Sequence, residues 1–485
     1  MKLIAHLEKS KSIWFLLFIS FAFFLLRWPS LFEPYWYGDE GIYQAVGLLI
    51  RSGAPLYSGA WDNKPPLLYL LYALFNSDQF LIRFVSLIFG IVSIWVFYLL
   101  AKRLFHNSNK IAIATTTIYS FGFGTRMVEG NIANAENFMI LPILVSAYFV
   151  FATDYFKRIW QYKTYFLAGL ILSLAFLTKI VAAFDFLAFG VFLFIDPGKS
   201  LKENFFKKAF PFVIGFTAPV ILTMSYFLLT NNFKDFLDAF IFSNVEYVGY
   251  GNNFLIPQGL LYFKAFLLIS FSGILYLKRR DISKNVLFIT LWFAFSLFNA
   301  FFSQRPYTHY LLVLLPSFCL MIGVILSEKR ERIFTLLFLI VALIIVFNKF
   351  SLQGKLIPYY INLLSFCSGK IDVTEYQSYF DHNTPRDYEL ARYIRMNTDK
   401  EDSFFIWGNN AQVYKLANKT PLMRYTVAYH ITQYSTGTLE MKNVIDNKKP
   451  KFLIIMPNVP TFPLSTTDYR ERIRIKDAII YERAL

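Results

Sequence analysis

Two adjacent carboxylates, Asp39 and Glu40, open a polar stretch, Tyr37–Pro66, that lies between the first apolar run and everything membranous that follows. A carboxylate at a helix N-terminus is held anionic and oriented by the positive end of the dipole. That suits a group accepting a proton from an attacking hydroxyl. The plainer role for Asp39 is to cap the helix starting near Glu40, and the two roles are compatible. The stretch closes on Trp61–Asp62–Asn63–Lys64–Pro65–Pro66. Lys64 stands just ahead of a second helix start, where a cation added to the dipole makes a phosphate site. Pro65 and Pro66 remove backbone donors, so the lysine itself must do most of the binding. Its alternative is a lysine snorkelling at the membrane interface.

Further ionisable residues fall at the mouths of later apolar runs. Glu136 ends the segment Arg126–Glu136, placed to orient a hydroxyl or assist the base, or else a solvated acid of the first helical turn. Glu129 is a weaker candidate in the same segment. Arg305 and His309 lie in Ser303–Tyr310 and, with Arg83 and Lys179, gather positive charge suited to a leaving phosphate. Each alone also fits a lipid headgroup contact. There is no glycine-rich phosphate loop, CxxC, HExxH or GxSxG, so a nucleotide-driven pump and a zinc hydrolase are unsupported.

The elements that must position these groups are membrane helices. Of 485 residues 56% are hydrophobic and only 16% charged, with mean hydropathy +0.44. About eleven apolar runs are each long enough to cross a ~30 Å hydrocarbon core. They fall at roughly 13–31, 81–101, 111–127, 136–155, 164–178, 181–196, 210–230, 259–277, 286–303, 309–327 and 333–349. The net charge of +16 sits in short basic clusters on alternate loops, the positive-inside pattern rather than a nucleic-acid surface. Those loops are cytoplasmic, so the acidic first loop and the tail lie outside. No cleavable signal is expected, and the cysteines, Cys319 and Cys367, suggest no disulfide. In the first loop, Ile42, Ala45, Val46, Leu49 and Ile50 form one apolar helical face, stopped by Gly53 and Pro55. A second surface helix follows Pro66, and Arg83 opens the next span. Residues 1–349 are read as the membrane domain, with outer loop 32–80, and 350–485 as a small extracytoplasmic α/β domain. The tail has a helix starting at Asn383–Thr384–Pro385 and buried strands at Ser403–Gly408 and Phe452–Met456.

The residues Asp39–Glu40–Gly41–x–Tyr43, Gly47, Gly53–x–Pro55–x–Tyr57 and Trp61–Asp62–x–Lys64–Pro65–Pro66 resemble the first outer loop of bacterial GT-C glycosyltransferases. These are the polyprenyl-phosphate-sugar-dependent enzymes related to protein O-mannosyltransferases and the lipid A aminoarabinose transferase. Arg83, Asn134–x–Glu136 and Arg305–x–x–x–His309–Tyr310 extend the resemblance, which runs from residue 30 to about 327. It implies inverting transfer of a sugar from a polyprenyl-phosphate donor to a hydroxyl of a lipid, glycan or protein acceptor at the outer face of the cytoplasmic membrane. By position, Asp39, with Glu40 and Glu136, is catalytic; Lys64, Arg83, Arg305 and His309 bind the donor phosphate; Tyr43, Tyr57, Trp61, Asp62 and Asn134 contact substrate. Glu136 stands where some relatives carry Asp. No dedicated metal site is visible, and the resemblance leaves a divalent ion at Asp39 and Glu136 open. The rival functions are a lipid-linked oligosaccharide ligase or polymerase, and a lipid-linked glycan flippase. A flippase predicts repeated halves and broken midplane helices, which the sequence does not show.

Overall fold

The structure is a computed structural model that describes residues 11–152, 161–245, 260–303, 305–350, 352, 356–434 and 436–484. The ends of two expected spans, at 153–155 and 259, and the basic residues Lys157 and Arg158 lie outside the described residues. The chain divides into two compact units: Met1–Trp28, Phe84–Leu229 and Phe242–Leu356 form the first, and Pro29–Arg83, Thr230–Ile241 and Ile357–Leu485 the second.

The first unit is helical, and each of the expected spans coincides with a helix. Among the described residues, five helices are long and apolar enough to cross a membrane: Lys11–Leu31, Gln79–Leu104, Leu201–Leu229, Tyr310–Ser327 and Arg332–Lys349. Shorter apolar helices include Ala135–Phe151, Tyr162–Phe176, Ile180–Ile195, Leu261–Leu277 and Lys284–Ala300. Their outer faces keep large apolar side chains bare, such as Phe18, Leu229, Ile333 and Phe347. Water would penalise that surface and lipid does not. Inside, lipid offers no hydrophobic drive between helices, so close packing holds them together. Helix Gln161–Phe176 lies against Phe210–Leu229 through Gly169 and Gly215. A Cβ at Gly169 would stand 2.0 Å from the Phe212 carbonyl oxygen, and one at Gly215 would stand 2.0 Å from that of Phe166. Only glycine permits that approach. The buried Asp185 accepts a hydrogen bond from Trp292 Nε1 at 2.8 Å. Asp196, just past its helix, takes Lys208 Nζ at 2.5 Å and Lys284 Nζ at 3.2 Å.

In the second unit, the first-loop helix runs Gly38–Arg51 and stops before Gly53, whose φ of +92° suits glycine alone. The next helix, Pro66–Leu74, has its proline at the first position as expected. The C-terminal residues form helix Thr384–Asn397 and a four-stranded sheet of β1 (Phe404–Trp407), β2 (Phe452–Ile455), β3 (Tyr469–Ile475) and β4 (Ala478–Arg483), ordered β1-β2-β4-β3. β1 and β2 run parallel, Phe404 opposite Phe452, while β4 is antiparallel to β2 and β3. The sequence pointed to β1 and β2 through their apolar runs. The hairpin β3–β4 was not expected, because Tyr469–Ile475 is charged and almost wholly exposed, an edge strand protected from pairing by its own arginines. The apolar helix Leu356–Cys367, at the start of the segment read as an extracytoplasmic α/β domain, is likewise beyond what the sequence predicts.

Candidate active site

The first-loop helix carries both acids in its first turn. Its cap position is Tyr37, which makes no side-chain cap bond, so the capping role considered for Asp39 does not occur. Asp39 is half-buried and makes no hydrogen bond or ion pair with the described residues. Its carboxylate therefore faces the dipole's positive end uncommitted.

Glu40 is used differently. Arg83 grips it in a fork, Nε to Oε1 at 3.0 Å and Nη2 to Oε2 at 2.5 Å. The remaining nitrogen, Nη1, reaches Glu33 Oε2 at 2.9 Å and the Ser30 carbonyl at 2.7 Å. Glu33 also accepts from Trp36 Nε1 at 2.8 Å and from the Tyr359 hydroxyl. Arg83 and both acids are buried. A buried guanidinium answered by two carboxylates favours a positioning role over the phosphate contact that the resemblance implies.

The loop before Pro66 is pinned by hydroxyls. Tyr57, at φ +72°, donates to the Lys64 carbonyl at 2.9 Å, and the Lys64 amide donates to the Tyr69 hydroxyl at 2.9 Å. Tyr69 donates in turn to Asp62 Oδ2 at 2.7 Å, and Asp62 Oδ1 accepts from the Asn63 amide at 2.8 Å. Burial first, then the charge of Asp62, holds the Tyr57 and Tyr69 hydroxyls well above the usual tyrosine range, so they stay donors. Lys64 is thereby fixed on both sides of its backbone, its Nζ 2.6 Å from Asn63 Oδ1. Trp61 lies edge-on to His430 at 4.8 Å, Tyr434 at 5.1 Å and Tyr425 at 5.5 Å. Tyr43 is buried against Tyr69 and Tyr72. Tyr43, Tyr57, Trp61 and Asp62 thus shape the loop that presents Lys64. His430 Nε2 stands 3.7 Å from Asp62 Oδ1. Burial depresses its pKa to about 4, with Asp62 opposing and Lys64 assisting.

In the first unit a separate chain of charges forms. Glu136, in the first turn of its helix, takes the Lys179 ammonium on Oε1, 3.8 Å from His309 Nε2. Its other oxygen, Oε2, has no hydrogen-bond partner among the described residues although the residue is 1% exposed. His309 Nδ1 meets Glu129 Oε2 at 3.1 Å, and the Thr308 hydroxyl donates to Glu129 Oε1. Lys179 Nζ lies 4.9 Å from the Tyr310 ring centre, and Tyr307 stacks on His309. Asn134 is buried, its Oδ1 accepting the Ala135 amide at 2.8 Å, a local turn contact. Arg305 is half-buried, with its amide bonded to Ser303 Oγ at 3.2 Å. The structure thus unites Glu136, Lys179 and His309, which are far apart in sequence. Sequence reasoning passed over Glu33 and His430 and set Glu129 aside; the one signal for Glu129 was an acid at a membrane edge beside a glycine. Among the described residues no group of three or more His, Cys, Asp or Glu is arranged to hold a metal ion.

Residues 64–235 match the family model described as dolichyl-phosphate-mannose-protein mannosyltransferase. An uncharacterized protein of Aquifex aeolicus (strain VF5) is 25% identical over 354 residues, 67% of this chain and 66% of its own length. Among solved structures, ArnT from Cupriavidus metallidurans bound to undecaprenyl phosphate superposes with a TM-score of 0.61 at 13% identity, covering 97% of this chain and 98% of that one. The archaeal oligosaccharyltransferase AglB from Archaeoglobus fulgidus, in complex with an inhibitory peptide and a dolichol-phosphate, gives 0.50 at 14% identity, over 93% of this chain and 70% of its own. At such identities the likeness is one of fold. The chain is a multi-pass membrane protein whose helical fold is similar to that of ArnT, and its residues 64–235 match the mannosyltransferase family model.

Proposed function

We propose that the protein is an inverting glycosyltransferase of the cytoplasmic membrane, taking a sugar from a polyprenyl-phosphate donor to a hydroxyl of an extracytoplasmic acceptor. In this reading residues 1–349 are the membrane catalytic domain, and 350–485 an extracytoplasmic domain. The acceptor oxygen attacks the anomeric carbon in line, and the bond from that carbon to the phosphate oxygen breaks. The electron pair leaves with the polyprenyl phosphate. Asp39 takes the hydroxyl proton as the new bond forms. Lys64, Arg305 and His309 receive the charge growing on the phosphate, and Glu136 with Lys179 supports that set. Arg83 and Glu40 hold the first-loop helix so that Asp39 faces the reaction.

One observation carries this reading. Of the two adjacent acids, Glu40 is buried and fully engaged by Arg83, while Asp39 is half-buried and uncommitted at a helix N-terminus. A base must be ionised, oriented and available, and Asp39 alone of the pair is available. The test is transfer by purified full-length protein in detergent, with a panel of polyprenyl-phosphate sugars and a membrane-lipid extract as acceptor. Asp39→Asn should lower turnover by about 10²–10⁴-fold while elution profile and melting temperature stay as in the wild type. Full turnover in that variant would sink Asp39 as the base. No donor consumed by the wild type, with lipid-linked glycans crossing proteoliposome membranes instead, would replace the transferase by a flippase.

A further inference from the structure

The charge chain in the first unit contains an acid to which the reaction above gives no task. Glu129 closes a short turn, Arg126–Val128, at φ +57° and ψ +30°, its amide bonded to the Arg126 carbonyl at 3.1 Å. That left-handed backbone is unfavourable for a residue with a Cβ and persists where the surroundings over-determine it. The next residue, Gly130, admits no side chain, because a Cβ there would stand 1.9 Å from the Phe123 carbonyl oxygen. The turn is therefore locked, and it delivers the Glu129 carboxylate to two neighbours on a distant stretch, Thr308 and His309.

We infer that Glu129 is a positioning residue for His309, setting which imidazole nitrogen faces the departing phosphate. This rests on the phosphate role proposed for His309. A carboxylate can only accept, so the 3.1 Å contact places an N–H of His309 on Nδ1. The imidazolium form, which carries a second N–H on Nε2, is the one that can donate to a phosphate. Nε2 is then the working end of the ring, turned toward Glu136 Oε1, 3.8 Å away, and so toward the group that also holds Lys179. The ring plane is fixed from three sides. Glu129 holds its edge, Tyr307 stacks on it with centroids 5.5 Å apart and nearly parallel planes, and Tyr310 meets it edge-on at 4.7 Å. Thr308 occupies the second oxygen of Glu129, so the carboxylate cannot rotate away without losing that bond as well. With its Nδ1–H spent on the acid, the imidazolium form presents Nε2–H as one defined donor for the phosphate instead of two interchangeable ones.

The experiment is a double-mutant cycle read by binding of undecaprenyl phosphate to the full-length protein in detergent, with melting temperature recorded for every variant. Glu129→Ala and His309→Ala should each weaken binding by about tenfold, and the double variant should bind as His309→Ala does, because the acid works only through the ring. Glu129→Gln keeps an acceptor for Nδ1–H and should bind within about threefold of the wild type. Losses from Glu129→Ala and His309→Ala that multiply in the double variant would overturn the positioning role. So would a Glu129→Gln that melts like the wild type yet binds as poorly as Glu129→Ala. Failure of the underlying reading shows differently: wild type and His309→Ala binding equally well would remove the phosphate contact itself, whatever the Glu129 variants do.

Discussion

His430 is a buried imidazole held neutral, and it ties the stability of the second unit to pH. Its pKa falls from the usual 6.5 to about 4, mostly through burial. A depressed group contributes stability that is present above its unfolded pKa and is lost as pH falls through the folded one. The window is therefore about pH 6.5 down to 4, and the full effect is on the order of 3 kcal/mol. Asp387 runs the other way. Burial raises its pKa from 3.8 to about 6, so its contribution is present below 3.8 and lost as pH rises through 6. Because the two oppose each other, the wild-type profile alone does not isolate either. The difference between wild type and His430→Phe does: the variant should lose less stability than the wild type between pH 6.5 and 4.5 in thermal melts. Parallel melting curves across that range would show that His430 is not the group responsible. At the same scale, Arg83 illustrates how a buried charge is read. Its fork on Glu40 and its contact with Glu33 leave no isolated charge, whereas truncating it would strand two carboxylates.

Among the elements, the first-loop helix matters most, because its position sets where Asp39 stands. Its lower face packs on helix Pro66–Leu74, and Arg51 at its end reaches the Ala73 carbonyl at 3.1 Å. Near its start it meets helix Gln412–Leu416, where a Cβ on Gly41 would stand 2.8 Å from the Gln412 amide nitrogen. That wall is firm. Gln412 Nε2 donates to Asp387 Oδ2 at 2.8 Å beside Asn410 Nδ2 at 2.7 Å, while Arg386 holds Oδ1. Gly41→Ala should therefore displace the helix start by tenths of an ångström, destabilise the protein by roughly 1–3 kcal/mol and reduce transfer. Melting temperature and turnover of the purified variant measure both. If neither changes, the close approach does not constrain the helix.

The whole molecule makes a prediction about sidedness. The proposed topology, with the basic clusters on alternate loops facing the cytoplasm, predicts a tail outside it. The chain carries its own probe, because Cys367 is exposed and Cys319 is buried in a membrane helix. A membrane-impermeant maleimide added to intact spheroplasts should label Cys367 without prior lysis, and Cys367→Ser should remove the signal. Labelling that appears only after lysis would invert the topology and, with it, the side on which transfer takes place.

How much of this was legible beforehand follows the range of the physics involved. Spans, surface helices and the apolar strands β1 and β2 depend on local hydrophobic pattern and on Gly and Pro punctuation, so the sequence by itself determined them. The same holds for Asp39: an acid at a helix start beside a polar loop is a local feature. What tertiary structure alone decided is the partnership of charges. Glu40 and Glu33 share Arg83, and Lys179 and His309 share Glu136, across separations of 43 residues or more. No periodicity records such pairs, because an ion pair depends on where helices cross and not on residue spacing. Hence the hydroxyl and ring contacts by which Tyr43, Tyr57, Trp61 and Asp62 hold the loop, beside the substrate role the resemblance implies for them, were not legible in one dimension. Glu129 looked incidental until the fold set it against His309.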